Sequence, residues 1–190
     1  LSIDNIVLAF QLVLLEQKIL FVDNNYKLLS QIVFAFMILI YPLMWVNPYA
    51  PVLPLEMIKY IESIVPFIFG LDEYMLDYAM KNVLQVGSND NIVVVNVHKN
   101  TIGVIKLTKV VTTSKKELLR ELELPDIPDK VGSFLVKALK DVKKKYKQYK
   151  DTYNHNNNNT NTHNNEHTYL SSYDKVNEYT QEYTDINKHI

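Results

Sequence analysis

Cysteine is absent from the 190 residues. That excludes disulfides, zinc ribbons, iron–sulfur clusters and thiol catalysis together, and nothing points to an oxidising compartment. Only four glycines occur, Gly70, Gly87, Gly103 and Gly132. They lie too far apart to build a Gly-rich phosphate loop. Neither sign of charge dominates: the formal net charge is -1, which argues against a nucleic-acid binder resting on phosphate neutralisation. Charge is also scarce locally. Residues 1–70 carry eight charged side chains, and Leu28 to Leu55 carries none. With 47% hydrophobic residues the composition is globular, so the charge-free run is either buried core or a membrane span.

A spanning helix needs roughly 20 apolar residues. Pro42, Pro48, Pro51 and Pro54 leave only Leu28 to Tyr41 helix-like, and fourteen residues reach about 21 Å. Proline ends the helix near Tyr41, and no Lys/Arg cluster flanks it as the positive-inside rule requires. A buried helix is the better reading. No basic leader or small-residue cleavage site opens the chain. Its start at Leu1 suggests a piece excised from a longer protein, cytoplasmic by default. The sequon Asn158-Asn159-Thr160 falls in an Asn run and arises there from composition.

Ser2 to Gln17 reads as an amphipathic helix with Ser2 as N-cap. Lys18 to Val22 is a short β-prone run closed by the turn formers Asp23-Asn24-Asn25. After helix 28–41, a short extended stretch is expected around Leu43 to Val46. Pro54 suits the first turn of a helix over Leu55 to Val65. Pro66 to Gly70 is another apolar run, Asp72 to Leu84 is helical, and Asn91 to Val97 is the clearest strand. Gly103 to Leu107 is expected to pair with it through the turn at Lys99-Asn100. Short apolar runs alternating with helices predict an α/β fold, a mostly parallel sheet covered by helices on both faces. Trp45, among apolar neighbours, is expected in the core.

After Leu124-Pro125-Asp126-Ile127-Pro128 the character changes, placing an α/β lobe at 1–129 and a helical region at 130–190. Lys130 to Tyr153 predicts a long amphipathic helix, with seven lysines between Lys137 and Lys150. Those lysines fit an anionic membrane or a calmodulin-like partner, and a solvated helix face is the preferred, plainer account. Asn154 to Asn165 has eight Asn in twelve residues and is expected to be a disordered loop. His155, His163 and His167 lack the spacing of a metal site. Tyr169, Tyr173, Val176, Tyr179, Tyr183, Ile186 and Ile190 again recur at helical spacing.

Reactive constellations are missing. There is no Walker loop, dinucleotide fingerprint, HExxH or nucleophile elbow, so no catalytic residue, cofactor or metal is assigned. His98 follows a strand, where open α/β sheets bind ligands, although an ordinary turn histidine is the simpler reading. Glu121 and Glu123 read as solvated rather than as a general acid/base pair.

The order of several motifs is more informative. Leu14 to Val22 resembles the LLLE-R-x-(I/V)-L-F-(V/I) element of the central DENN domain. Tyr41-Pro42-Leu43-Met44-Trp45 is similar to LYPFxW, Pro51-Val52-Leu53-Pro54 to P-x-LP, and Pro66 to Gly70 to P-F-I-x-G. Ile92 to Asn100 resembles V-V-(V/I)-D-L-D-x-N, and Leu122 to Pro128 the closing LPxLP. Six elements in the right order span roughly residues 1–130. The family's late-strand aspartates are Asn96 and His98 here, and a common Ser is Asp23. The upstream longin-like lobe is not in this chain, and the downstream helical part begins at Lys130.

The resemblance implies a non-enzymatic guanine nucleotide exchange factor for a Rab-type small GTPase in vesicle traffic, peripheral on membranes through the full-length protein. It implies docking across the longin-like and central lobes together, so this segment alone is expected to bind weakly. By the strand-end rule the contact candidates are Asp23, Asn24, Asn25, His98, Lys99 and Asn100. A DENN-fold scaffold that binds a GTPase without exchange is the second reading, and a membrane-associated helical protein the third.

Overall fold

The apolar runs at 18–22, 68–71 and 92–96 lie side by side as the parallel centre of a sheet. A computed structural model describes residues 1–84, 91–106 and 109–159, with backbone only for 155–159. In chain order its elements are α1 (Ile3–Leu14), β1 (Lys18–Val22), α2 (Tyr26–Leu39), β2 (Tyr49–Ala50), a 3-10 helix (Leu55–Glu62), β3 (Ile68–Leu71) and α3 (Glu73–Asn82). Then come β4 (Ile92–Asn96), β5 (Thr101–Lys106), β6 (Lys109–Thr112), α4 (Lys115–Glu121) and α5 (Asp129–Asn159). Two compact units divide within α5: Leu1–Lys140 and Asp141–Ile190.

The first unit holds a six-stranded mixed sheet of order β2-β3-β1-β4-β5-β6. The four strands from β2 to β4 run parallel, and β5 and β6 extend the sheet antiparallel. Successive side chains of a strand point to opposite faces, so one five-residue strand feeds two cores. Ile19 and Phe21 join Leu12, Val33, Phe36 and Val95 on one face. Leu20 and Val22 join Ile61, Phe69, Met75 and Val94 on the other. Helices α1, α2 and α4 supply the first cluster, and α3 with the 3-10 helix the second. The α/β class, covered on both faces, is therefore as the sequence implied, as is the β4–β5 hairpin through Lys99-Asn100.

Several local expectations are corrected. The stretch Leu43 to Val46 forms no paired strand; the strand lies later, where Tyr49 and Ala50 pair with Ile68 and Phe69 of β3. Leu55 to Val65 is a shorter, tighter 3-10 helix that ends at Glu62. Pro54 offers it no side-chain cap, and the Met57 N–H bonds back three residues to the Pro54 carbonyl at 3.0 Å. The charge-free run is not uniformly core. Helix α2 buries the stripe Leu29, Val33 and Phe36, while Phe34 is 56% and Ile38 59% exposed. An outer helix on a sheet buries one stripe only. Leu43, Met44 and Val46 are exposed too. Trp45 is half-buried at the margin of the first cluster, its Nε1–H donating to the Pro48 carbonyl at 3.4 Å.

No helix among the described residues is long and apolar enough to cross a membrane. In α5 the helix runs on to Asn159, into the Asn-rich run. The remainder of that run, His163, His167 and the stripe from Tyr169 to Ile190 lie outside the described residues.

Candidate functional site at the carboxyl edge of the sheet

Helix α2 leaves β1 over one face, and α3 crosses from β3 to β4 over the other. The chain thus winds both ways from β1, and the carboxyl ends of β1, β3 and β4 meet at the switch point where open α/β sheets carry their crevices. Short polar side chains cap the helices that start there. Asp23 is buried, and its Oδ1 accepts the Asn25 N–H at 2.7 Å. Asn25 caps α2 by accepting the Leu28 N–H at 3.1 Å. Asp72 caps α3 by accepting the Met75 N–H at 2.6 Å. Asn25 and Asp72 each satisfy a donor that the first helical turn leaves unpaired, and Asp23 holds the N-cap residue Asn25 itself.

Glu73, the first residue of α3, gathers the rest. Its N–H donates to Asn24 Oδ1 at 3.1 Å. Its Oε1 receives the Lys99 ammonium at 2.7 Å and the Asn96 amide at 3.3 Å. Lys99, then Asn96 and Asn24, hold the Glu73 carboxyl below its ordinary value of 4.5. Beside it the Tyr26 hydroxyl donates to the Asp72 carboxylate, and that bond and the negative charge push the phenol above its ordinary value. The Asn96 amide does two jobs: it donates to Glu73 and accepts the Lys99 N–H at 2.8 Å. An aspartate, as in the DENN motif, could only accept, and would set a second carboxylate against Glu73.

Of the six candidates, Asp23, Asn24, Asn25 and Lys99 lie together around α2, α3 and Glu73. His98 is exposed in the hairpin turn. Asn100 turns the other way, at a left-handed φ of 53° that asparagine tolerates. Its Oδ1 accepts the Ser2 N–H at 2.5 Å and its carbonyl accepts from Asn5 Nδ2 at 2.8 Å, tying the turn to α1. Tyr26, Asp72, Glu73 and Asn96 are not among the sequence's contact candidates, although Asn96 stands out as a departure from the family motif. The strand-end rule points to Asp72-Glu73 as well, since they directly follow β3, which ends at Leu71.

Glu73, Asn96 and Lys99 also line an open groove of about 490 Å³, together with Asp77 of α3, Thr101 and Lys109. Its lining mixes two acids, Glu73 and Asp77, and two lysines, Lys99 and Lys109, with the apolar Leu76, Met80, Val94 and Val110. Among the described residues no three His, Asp or Glu side chains cluster as a metal site would require. Glu121 pairs with Lys106 at 2.8 Å, a surface ion pair.

A family model for the DENN (AEX-3) domain matches residues 1–100. The chain belongs to the DENN domain family. That match covers α1 through the β4–β5 turn, and so takes in the whole carboxyl-edge cluster. DENN domain-containing protein 2A of Homo sapiens is 38% identical over 71 residues, 37% of this chain and 7% of that protein. A DENN domain-containing protein of Schizosaccharomyces pombe is 30% identical over 128 residues, 65% of this chain and 12% of the relative. A DENN domain and WD repeat-containing protein of Arabidopsis thaliana is 32% identical over 129 residues, 68% of this chain and 9% of the relative. The chain thus spans 12% or less of these relatives' lengths. The DENN motif residues Leu20, Phe21 and Ile68 are buried strand positions and Phe67 is buried just before β3, which is why the motifs report the fold more directly than the contact surface.

Proposed function

We propose that this DENN chain supplies the central lobe of a guanine nucleotide exchange factor that promotes GDP release from a Rab-family small GTPase in vesicle trafficking. Family membership over residues 1–100 carries the reading, since exchange on small GTPases is the family's general activity. The carboxyl-edge cluster supports it by presenting Asn24, Glu73 and Lys99 beside a mixed-charge groove. Such a factor makes and breaks no covalent bond. It works by binding the GTPase more tightly once nucleotide and magnesium have left. A thousandfold acceleration requires about 4 kcal/mol of such preference.

The affinity of the full-length protein for nucleotide-free and GDP-loaded Rab proteins tests this directly. An exchange factor prefers the nucleotide-free form by orders of magnitude. Equal affinity for both forms identifies a scaffold instead. Exchanging the charges in Glu73→Lys with Lys99→Glu keeps an ion pair within the fold while inverting what the edge presents. The expected result is at least a tenfold loss of GTPase affinity with an unchanged melting temperature, on the scale of reversed charges at an interface.

A further inference from the structure

Helix α5 changes its surroundings along its length. Leu135 and Leu139 line a small apolar cleft with Ile6, Val7 and Phe10 of α1. Beyond Lys140 the same stripe continues as Val142, Tyr146, Tyr149 and Tyr153 at spacings of four, three and four, and nothing described covers it. These four side chains are 63%, 66%, 69% and 55% exposed. At about 100° per residue they fall within roughly 60° of the helix circumference. Lys145 borders the stripe on one side, and Lys143 and Lys150 border it on the other. Between Asp141 and Tyr153 five lysines stand against two aspartates. All five lysines are exposed, and none is in an ion pair among the described residues.

We propose that the face Val142–Tyr146–Tyr149–Tyr153 with its flanking lysines is a docking surface for an anionic lipid bilayer, on which this helix lies in the plane of the headgroups. Three of the four apolar positions are tyrosine, whose ring is apolar and whose hydroxyl needs a polar partner. None of those hydroxyls has one among the described residues. The water–lipid boundary supplies both environments at once, and a dry helical groove would strand the hydroxyls. The bordering lysines lay their methylene stems along the stripe and raise their ammonium groups into the headgroup layer. A second copy of the helix fits poorly, since either orientation places lysine opposite lysine along the seam. This face shares no residue with the carboxyl-edge cluster, so the proposal stands whether or not the protein exchanges nucleotide.

The full chain is sedimented with vesicles of phosphatidylcholine alone and with vesicles containing phosphatidylserine. Binding is expected only to the anionic vesicles, falling at least tenfold between low and high salt. Each lysine at such a surface is worth about a fivefold change, so the Lys143→Glu, Lys145→Glu, Lys150→Glu variant should bind on the order of a hundredfold more weakly. Tyr146→Ser with Tyr149→Ser should weaken binding severalfold, with Trp45 emission and helical circular dichroism unchanged. The proposal is overturned by equal binding to neutral vesicles, by salt-independent binding, or by either variant binding like the parent. It is overturned equally by no vesicle binding, whether the chain then self-associates or takes up an acidic amphipathic peptide. The salt series on the unaltered chain decides the matter even where a variant misfolds.

Discussion

A methyl group added to Gly70 would sit 2.0 Å from the Pro51 carbonyl oxygen and 3.0 Å from Leu29 Cγ. The first clash is with backbone pinned by the Leu53 N–H, which donates to the Gly70 carbonyl at 2.8 Å, so neither side can retreat. Gly70→Ala is therefore expected to cost about 3 kcal/mol, read as a fall in the urea midpoint at constant slope. A midpoint unchanged within error would contradict the tight crossing of these two segments. Glu73 sets a second expectation. Lys99 holds its carboxyl below 4.5, and Lys115 holds the Asp126 carboxyl below 3.8. A carboxyl whose folded value is depressed stabilises the fold above its unfolded value, and that contribution is lost as pH falls through the folded one. Stability should thus decline as the pH drops below 4.5, modestly because both pairs are exposed. Lys99→Met should flatten part of that decline in urea titrations; an identical acid limb would detach Glu73 from it.

At the scale of elements, α2 offers a sharp contrast between neighbours. Leu29 and Val33 are fully buried and Phe34 is exposed. Leu29→Ala should cost about 2–5 kcal/mol, and Phe34→Ser should stay within about 0.5 kcal/mol, both by denaturant unfolding. Comparable losses at the two positions would mean that α2 buries both faces. The contrast was hidden in the sequence because α2 is apolar nearly all round, and periodicity identifies a helix without saying which stripe meets the sheet. Strands β1, β3 and β4 were legible because continuous apolar runs mark strands buried on both faces. Helix α4 and strand β6 were not. Lys109–Thr112 is an edge strand, exposed apart from Val110, which erases the apolar signal. Helix α4 has only seven residues in a charged segment, although the Ser114–Glu117 capping box is a readable start signal. The candidate site was half legible. The turn after β1 could be found by rule, but Glu73 owes its place to Asn24 and Asn96, 49 and 23 residues away, and such pairings exist only after folding.

For the whole molecule, winding in both directions from β1 brings three strand ends, two helix caps and one ion pair to a single edge. Conserving that winding requires only that the apolar runs keep their order, which is how the DENN motifs identify the family while leaving the contact surface largely unspecified. The two cores, one on each face, make the sheet a rigid platform. Exchange needs such a platform, because a GTPase switch must be held in its nucleotide-free shape by contacts that do not themselves yield. The most direct measurement is the release of fluorescent GDP from a panel of Rab proteins on adding the full-length protein. The expected result is acceleration of one member or a small group by at least a hundredfold, on the scale of about 3 kcal/mol of differential binding. Release at the intrinsic rate from every member of the panel would contradict exchange activity.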